Sequence, residues 1–210
     1  MEQNRFRILV GTMVVTAGIV GVSAMSGCSQ QGNPPTHTAS SQSAKPDAGD
    51  HNSADLMFVQ MMIPHHLQAI ELTELVPGRS VDPAVVKLAA TIADEQQPEV
   101  ALMQAQLTRW GAAPVTAAGG HNGQAGGHGG MAMSGLVDAA TFDRLRTLKG
   151  RDFDTAWLQS MTAHHEGAID MARTEIADGS NPEMISLAKG IISAQQAEID
   201  QMKELLGGLR

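Results

Sequence analysis

Apolar residues recur at helical spacing through four long stretches of the chain. From Asp55 to about Val76 they form the first stripe, helix A, which Asp55 is placed to cap and Pro77-Gly78 to stop. Asp82-Pro83 pairs a capping side chain with proline at the first helical position, so it opens helix B. Val85, Leu88, Ile92, Glu99, Met103 and Leu107 of helix B fall near one face, and Gly111 ends it. Residues 111–135 are dense in glycine (GGHNGQAGGHGG), which predicts a flexible crossing. Leu136 to Lys149 predicts a short helix, and helix A′ follows from about Asp152 to Ala177. Asn181-Pro182 then repeats the start signal for helix B′, with Gly207-Gly208 as its stop.

The second pair of stripes is a copy of the first. FVQMMIPHHLQAIELTEL, from Phe58, returns as WLQSMTAHHEGAIDMART from Trp157, and the offset of 99 also relates Pro83 to Pro182, Gln96 to Gln195, Glu99 to Glu198 and Met103 to Met202. A register kept through two helices and their loop indicates a duplicated helical hairpin, with repeats 54–107 and 153–206. One hairpin cannot bury both of its apolar faces. Two hairpins joined by a long crossing predict an all-α four-helix bundle within residues 54–207.

Composition adds a compartment. Arg5 and Arg7, an apolar run from Ile8 to Val22 and small residues before Cys28 have the layout of an export signal over residues 1–27. The run is too short for a comfortable transmembrane helix. Met25-Ser26-Gly27-Cys28 resembles a bacterial lipobox, which makes Cys28 the acylated N-terminus of a lipoprotein in the cell envelope. Residues 28–53, rich in Ser, Gln, Pro, Gly and Thr, read as a flexible tether between lipid and domain. Loss of residues 1–27 moves the formal net charge from −8 to −9, a balance that argues against nucleic acid as a partner and favours cations. Cys28 is the single cysteine, so neither an internal disulfide nor a thiolate metal site is available. A soft metal would have to be held by histidine and by some of the 13 methionines.

The residues that recur in register are of that kind. Residues three and four apart share a helix face, so Met62 lies beside His65 and His66, and Met161 beside His164 and His165. The two rings of each pair are about 100° apart around the helix, which leaves open which one faces inward. On helices B and B′ the apolar stripe is interrupted at Gln96 and Glu99, and at Gln195 and Glu198, before Met103 and Met202. A carboxylate in a stripe is costly to bury unless it is paired or coordinates a metal, and a turn centred near residue 79 or 80 brings Glu99 within about one helical turn of His65. Imidazole suits Zn, Cu, Fe and Ni; thioether adds a preference for Cu(I). The expectation is therefore copper, Cu(I) first with zinc as the other choice, and Glu99 and Glu198 either as ligands or as carboxylates orienting a histidine ring. His121, His128, Met131 and Met133 carry the same donor types on the crossing and could capture or pass on metal. The copies differ at Pro64 and Pro98, which become Ala163 and Ala197, and at Met61, which becomes Ser160; interior proline predicts a more distorted first hairpin.

At MMIPHHLQAI and QQAEIDQM the chain resembles the family called domain of unknown function 305, over roughly Ala54 to Leu206. The resemblance implies a ferritin-like helical bundle, export and, for some members, copper binding and tolerance. Carried over by position, it points at Met62, His65, His66, Glu99 and Met103, and at Met161, His164, His165, Glu198 and Met202; Thr162-Ala163 departs from the Ile-Pro common in the family. The reading that follows is a lipid-anchored protein that sequesters copper or hands it to a delivery partner. Two alternatives stand beside it. A ferritin-like redox enzyme of the copper oxidase type is disfavoured in its di-iron form, because no Glu is followed three residues later by His. A metal-free adaptor or pH-sensing module would use the histidines as titrating groups.

Overall fold

The computed structural model describes residues 50–116 and 134–209, and all of its regular structure is helical. The helices are α1 (Ser53–Glu74), α2 (Pro83–Arg109), α3 (Ala139–Thr147), α4 (Gly150–Asp178) and α5 (Pro182–Gly208). The expected export signal, Cys28, most of the tether, and His121, His128, Met131 and Met133 lie outside the described residues.

Helix starts follow local chemistry closely. Asp82 and Asn181 cap α2 and α5 with a proline next in line, and Asp138 caps α3. The cap of α1 is Asn52, not Asp55: Asn52 accepts from Ala54 and Asp55 N–H while Asp55 reaches back to the Asn52 N–H, a reciprocal capping box. The domain therefore begins before residue 54. Asp50 accepts from the Asn181 side chain and His51 stacks on Trp110 at 4.3 Å, so the end of the expected tether is part of the fold. α4 starts two residues earlier than the apolar pattern suggests, at Gly150 with φ +61°. Gly207 and Gly208 do not stop α5, because glycine permits a left-handed stop without compelling one. Gly111, at φ +69°, does end α2. α1 and α2 run unbroken past Pro64 and Pro98.

α1 packs on α2 and on α4, α4 packs on α5, and α2 meets α5 more sparsely. α1 and α4 are antiparallel: Asn52 donates to the Asp178 carbonyl at one end, and Trp157 Nε1–H to the Leu72 carbonyl further along. α2 and α4 consequently run the same way on opposite corners, which is why a long crossing must join the two hairpins. The core forms two apolar clusters. One joins Leu72, Leu88, Ile92, Trp157, Leu158, Met161 and Met202 with Phe142 and Leu145 of α3. The other joins Phe58, Val59, Met62, Ile63, Met103 and Leu107 with Ala172, Met184 and Ile191.

Asp55 is also a tertiary anchor. Its carboxylate, fully buried, accepts from the N–H groups of Ser180 and Asn181 and from the Ser180 hydroxyl, tying α1 to the α4–α5 turn. Burial pushes this carboxyl up, but donors on Asn52, Asn181, Glu175 and Ser180 together outweigh it and hold it below the usual range. Glu175, 1% exposed, is pushed up to about 8 by burial and by its hydrogen bond to, and the charge of, Asp55. Glu175 therefore keeps its proton at neutral pH, beside the Asp55 carboxylate. Between the ordinary 4.5 and about 8 the folded protein keeps a proton that the unfolded chain has released, so stability falls as pH rises through that window. Glu175→Gln removes the titration while keeping a donor; thermal unfolding from pH 5 to 9 is expected to show a smaller loss of Tm in the variant than in the parent.

Candidate metal centre

Between the two apolar clusters lies a polar layer built from the repeated residues. His65, His66, His164 and His165 are each at most 1% exposed, so both members of each pair are buried, in different directions. His65 and His164, 99 residues apart, meet across the α1–α4 contact with ring centroids 3.8 Å apart and planes inclined by 39°. Such a contact between equivalent positions marks the pseudo-two-fold axis relating the hairpins. His66 and His165 turn instead into their own hairpins. His66 Nε2 lies 2.8 Å from Glu99 Oε2, and His165 Nε2 lies 2.8 Å from Glu198 Oε2.

A carboxylate partner decides the tautomer. Nε2–H donates to Glu99 or Glu198, which leaves Nδ1 of His66 and of His165 as a lone pair. These Nδ1 atoms have no hydrogen-bond partner, and neither does Nδ1 of His65, whose Nε2–H donates to the Ser134 carbonyl at 3.2 Å. Both ring nitrogens of His164 lack a partner in hydrogen-bond geometry. Buried polar atoms left in this way cost about 1–3 kcal/mol each, so the layer holds donors that nothing among the described residues satisfies. Gln96 lies in the same condition, as does Glu198 Oε1. The donor set, neutral imidazoles with free lone pairs beside carboxylates, fits a borderline or soft metal ion. Among the described residues, however, no three His, Cys, Asp or Glu side chains converge to hold an ion between them. Closure on an ion therefore requires side-chain rotation or thioether donors.

The thioethers expected beside the rings are all in the core. Met62 and Met103 belong to one apolar cluster, Met161 and Met202 to the other, and each is fully buried. Met202 Sδ accepts from the Thr162 hydroxyl at 3.7 Å. The two halves are unequal: the Glu99 side chain is 22% exposed against 8% for Glu198. Glu95 has no counterpart among the repeated polar residues, since Ala194 stands at its position in the second copy. Burial, with the nearby charges of Glu198 and Glu99, raises its carboxyl.

Sequence reasoning missed what closes the layer on its far side. Residues 134–137, which straddle the end of the stretch expected to be flexible and the start of the expected short helix, are docked, and the helix itself begins only at Ala139. Gln68 exchanges two hydrogen bonds with the Val137 backbone, at 2.8 and 2.9 Å. Gly167, at the equivalent position in the second copy, lets the same segment touch α4: a Cβ there would stand 2.0 Å from the Ser134 carbonyl oxygen. Gly135, with φ +82°, could carry no Cβ either, because Ala163 O would be 2.5 Å away. The Gly167/Gln68 difference was visible in the repeat, but nothing local shows which segment the two positions would receive.

Burial, then the neighbouring His66, drives the His65 imidazole down to about 3, with His165 adding to the shift and the Ser134 carbonyl opposing it. Burial and the neighbouring His65, His165 and His66 hold His164 well below its usual 6.5, and the His65 backbone beside the ring offsets only part of this. In the metal-free protein both rings are thus neutral at pH 7. Between about 3 and 6.5 the unfolded chain binds protons that folded His65 refuses, so stability is present above 6.5 and is lost as pH falls through that window. Ring C–H resonances of His65 followed by NMR are expected to stay unshifted down to about pH 4. Gly167→Ala is expected to destabilise the fold by about 1–3 kcal/mol in denaturant titrations, since backbone rather than a mobile side chain must yield.

A family model described as "Domain of unknown function (DUF305)" matches residues 55–206. No protein among curated sequences matches the chain. Among solved structures, a DUF305 protein of Streptomyces coelicolor described as secreted is 32% identical over 75% of this chain and 94% of its own, with a TM-score of 0.67. A DUF305 fragment from Deinococcus radiodurans is 30% identical over 74% and 97%, with a TM-score of 0.63. CopM in a Cu(II)-bound form is 33% identical over 74% and 97%, with a TM-score of 0.62, and its Cu(I)-bound form is 31% identical over 73% and 96%, with a TM-score of 0.59. With 152 consecutive residues matched by the family model and a shared bundle architecture, this chain belongs to the DUF305 family.

Proposed function

We propose that this protein is an extracytoplasmic, lipid-anchored copper-binding protein that sequesters the ion or passes it to a delivery partner. One observation carries the reading: five imidazole nitrogens, on four buried histidines that recur in register, lack a hydrogen-bond partner among the described residues. Copper is the cargo of this layer, Cu(I) ahead of Cu(II) and of zinc, because His65, His66, His164 and His165 offer imidazole while Met62, Met103, Met161 and Met202 offer thioether in the flanking core. Glu99 and Glu198 hold Nε2 of His66 and His165, so they orient the rings and leave Nδ1 as the donor. Glu95 stands beside Glu99 and Glu198 at the α2–α5 face, where the helices meet sparsely, so three carboxyl groups gather there. The copper-bound forms of CopM, about one third identical, support the choice of metal. The secreted description of the Streptomyces coelicolor relative supports export, and Cys28 within its lipobox-like segment supports the anchor.

Metal analysis after anaerobic Cu(I) loading and aerobic Cu(II) or Zn(II) loading tests the reading. The parent is expected to retain copper stoichiometrically and His66→Ala/His165→Ala to lose it, with circular dichroism showing that the variant is folded. Uptake no greater than that of a folded control protein would exclude it. Glu99→Gln/Glu198→Gln is expected to weaken copper binding by about 10–100-fold while leaving the stoichiometry intact.

A further inference from the structure

Where the two copies of the hairpin differ most is along the groove between α1 and α4. The pseudo-two-fold axis through His65 and His164 divides that groove into two halves. One half, over the C-terminal part of α1, is roofed by residues 134–149: Val137 is held by Gln68, Arg146 pairs with Glu71 at 3.4 Å, and Gly150 N–H donates to the Arg79 carbonyl. Phe142 and Leu145 pack there with Leu72 and Ala156.

The other half, between the N-terminal part of α1 and the C-terminal part of α4, has no such roof among the described residues. It contains a cavity of about 410 Å³ whose walls include Met57, Phe58, Met61, Met171 and Glu175. Met57 and Met61 are one helical turn apart on α1, and Met171 faces them from α4.

These methionines are not core filler. Met57 is 41% exposed, and Met61 and Met171 are half-buried, whereas Met62, Met103, Met161, Met184 and Met202 are fully buried. Nor do they recur: the positions 99 residues away hold Ala156, Ser160 and Leu72. Thus the open half of the groove carries three thioethers, and the roofed half carries none at the equivalent positions. The wall also carries Asn52, Thr174 and the carboxyl residues Glu175 and Asp178, and what sets it apart from the roofed half is three thioether sulfurs at one opening, a donor type that suits a soft monovalent ion binding with few ligands. Access from solvent is direct, so an ion can be taken up and given away here without opening the bundle.

We infer that Met57, Met61 and Met171 form a second metal site, a thioether site for Cu(I) at the surface, separate from the histidine layer. It does not rest on that layer binding metal. The two draw on different surfaces: His66 and His165 turn to carboxylates carried by α2 and α5, while the methionines line the cavity on the α1–α4 flank.

The test uses the full-length chain, purified in detergent with its methionine methyls labelled with ¹³C, and titrated with Ag(I) and, anaerobically, with Cu(I). The methyl resonances of Met57, Met61 and Met171 are expected to shift together at one equivalent, and to do so equally in His66→Gln/His165→Gln. Met57→Leu/Met61→Leu/Met171→Leu conserves volume and apolarity; it is expected to lose one equivalent of Ag(I) and of Cu(I) while keeping whatever uptake the histidine layer provides. Three unmoved methyls at saturation, or a triple variant with the parent's stoichiometry, would overturn the inference. Methyl shifts abolished by the histidine substitutions would overturn the separateness of the site. Loss of binding in the histidine variant alone bears on the layer and leaves the thioether site standing.

Discussion

The contact of His65 with His164 is the constraint on which the bundle's interior depends. Two equivalent residues can touch only at the axis relating their copies, so this ring pair fixes how one hairpin sits against the other. Burial first, and the neighbouring histidines second, keep both rings of this pair neutral at pH 7. Everything adjacent follows from keeping the pair neutral and buried. The Ser134 carbonyl takes one N–H, Gly167 and Gly135 remove the side chains that would block its approach, and Gln68 secures the segment that carries it. His66 and His165 point away from the axis, each toward a carboxylate in its own hairpin.

The polar layer divides a core that would otherwise be continuous. A protein selected for stability alone would fill that level with aliphatic side chains, as it does on either side. Five ring nitrogens and Gln96, without partners among the described residues, are a standing cost to the fold. The Asp55–Glu175 pair, at the end of the bundle, couples the fold to pH through the proton that Glu175 keeps beside the Asp55 carboxylate.

Duplication supplied two equal hairpins, and the crossing made them unequal. Residues 134–149 can roof only one half of the α1–α4 groove, because a single connection leaves α2 and enters α4 once. The uncovered half keeps a cavity, and the substitutions that separate the copies at Met57, Met61 and Met171 are concentrated around it. Glu99 and Glu198 show a milder form of the same inequality in their exposure.

The sequence by itself determined the helices, their count and their pairing into two hairpins, because apolar period, Asp82-Pro83 and Asn181-Pro182 caps, and a fixed offset of 99 are local or internal properties of the chain. It also showed which polar residues recur in register, since His-His, Gln and Glu keep their places through the repeat along with Met and several apolar positions. Whether His65 or His66 faces inward could not be read from helical geometry: both do, one toward the axis and one toward its hairpin partner, and only the packing of α4 against α1 separates those directions. Asp55 looked like a cap because a cap is a local role; its tie to the turn at Ser180 spans 125 residues. The docking of Ser134 on His65, the proton kept on Glu175 beside Asp55 and the thioether-lined cavity likewise involve groups brought together from distant parts of the chain. Such contacts are set by which faces meet, and the order of residues along one helix carries no record of its neighbour.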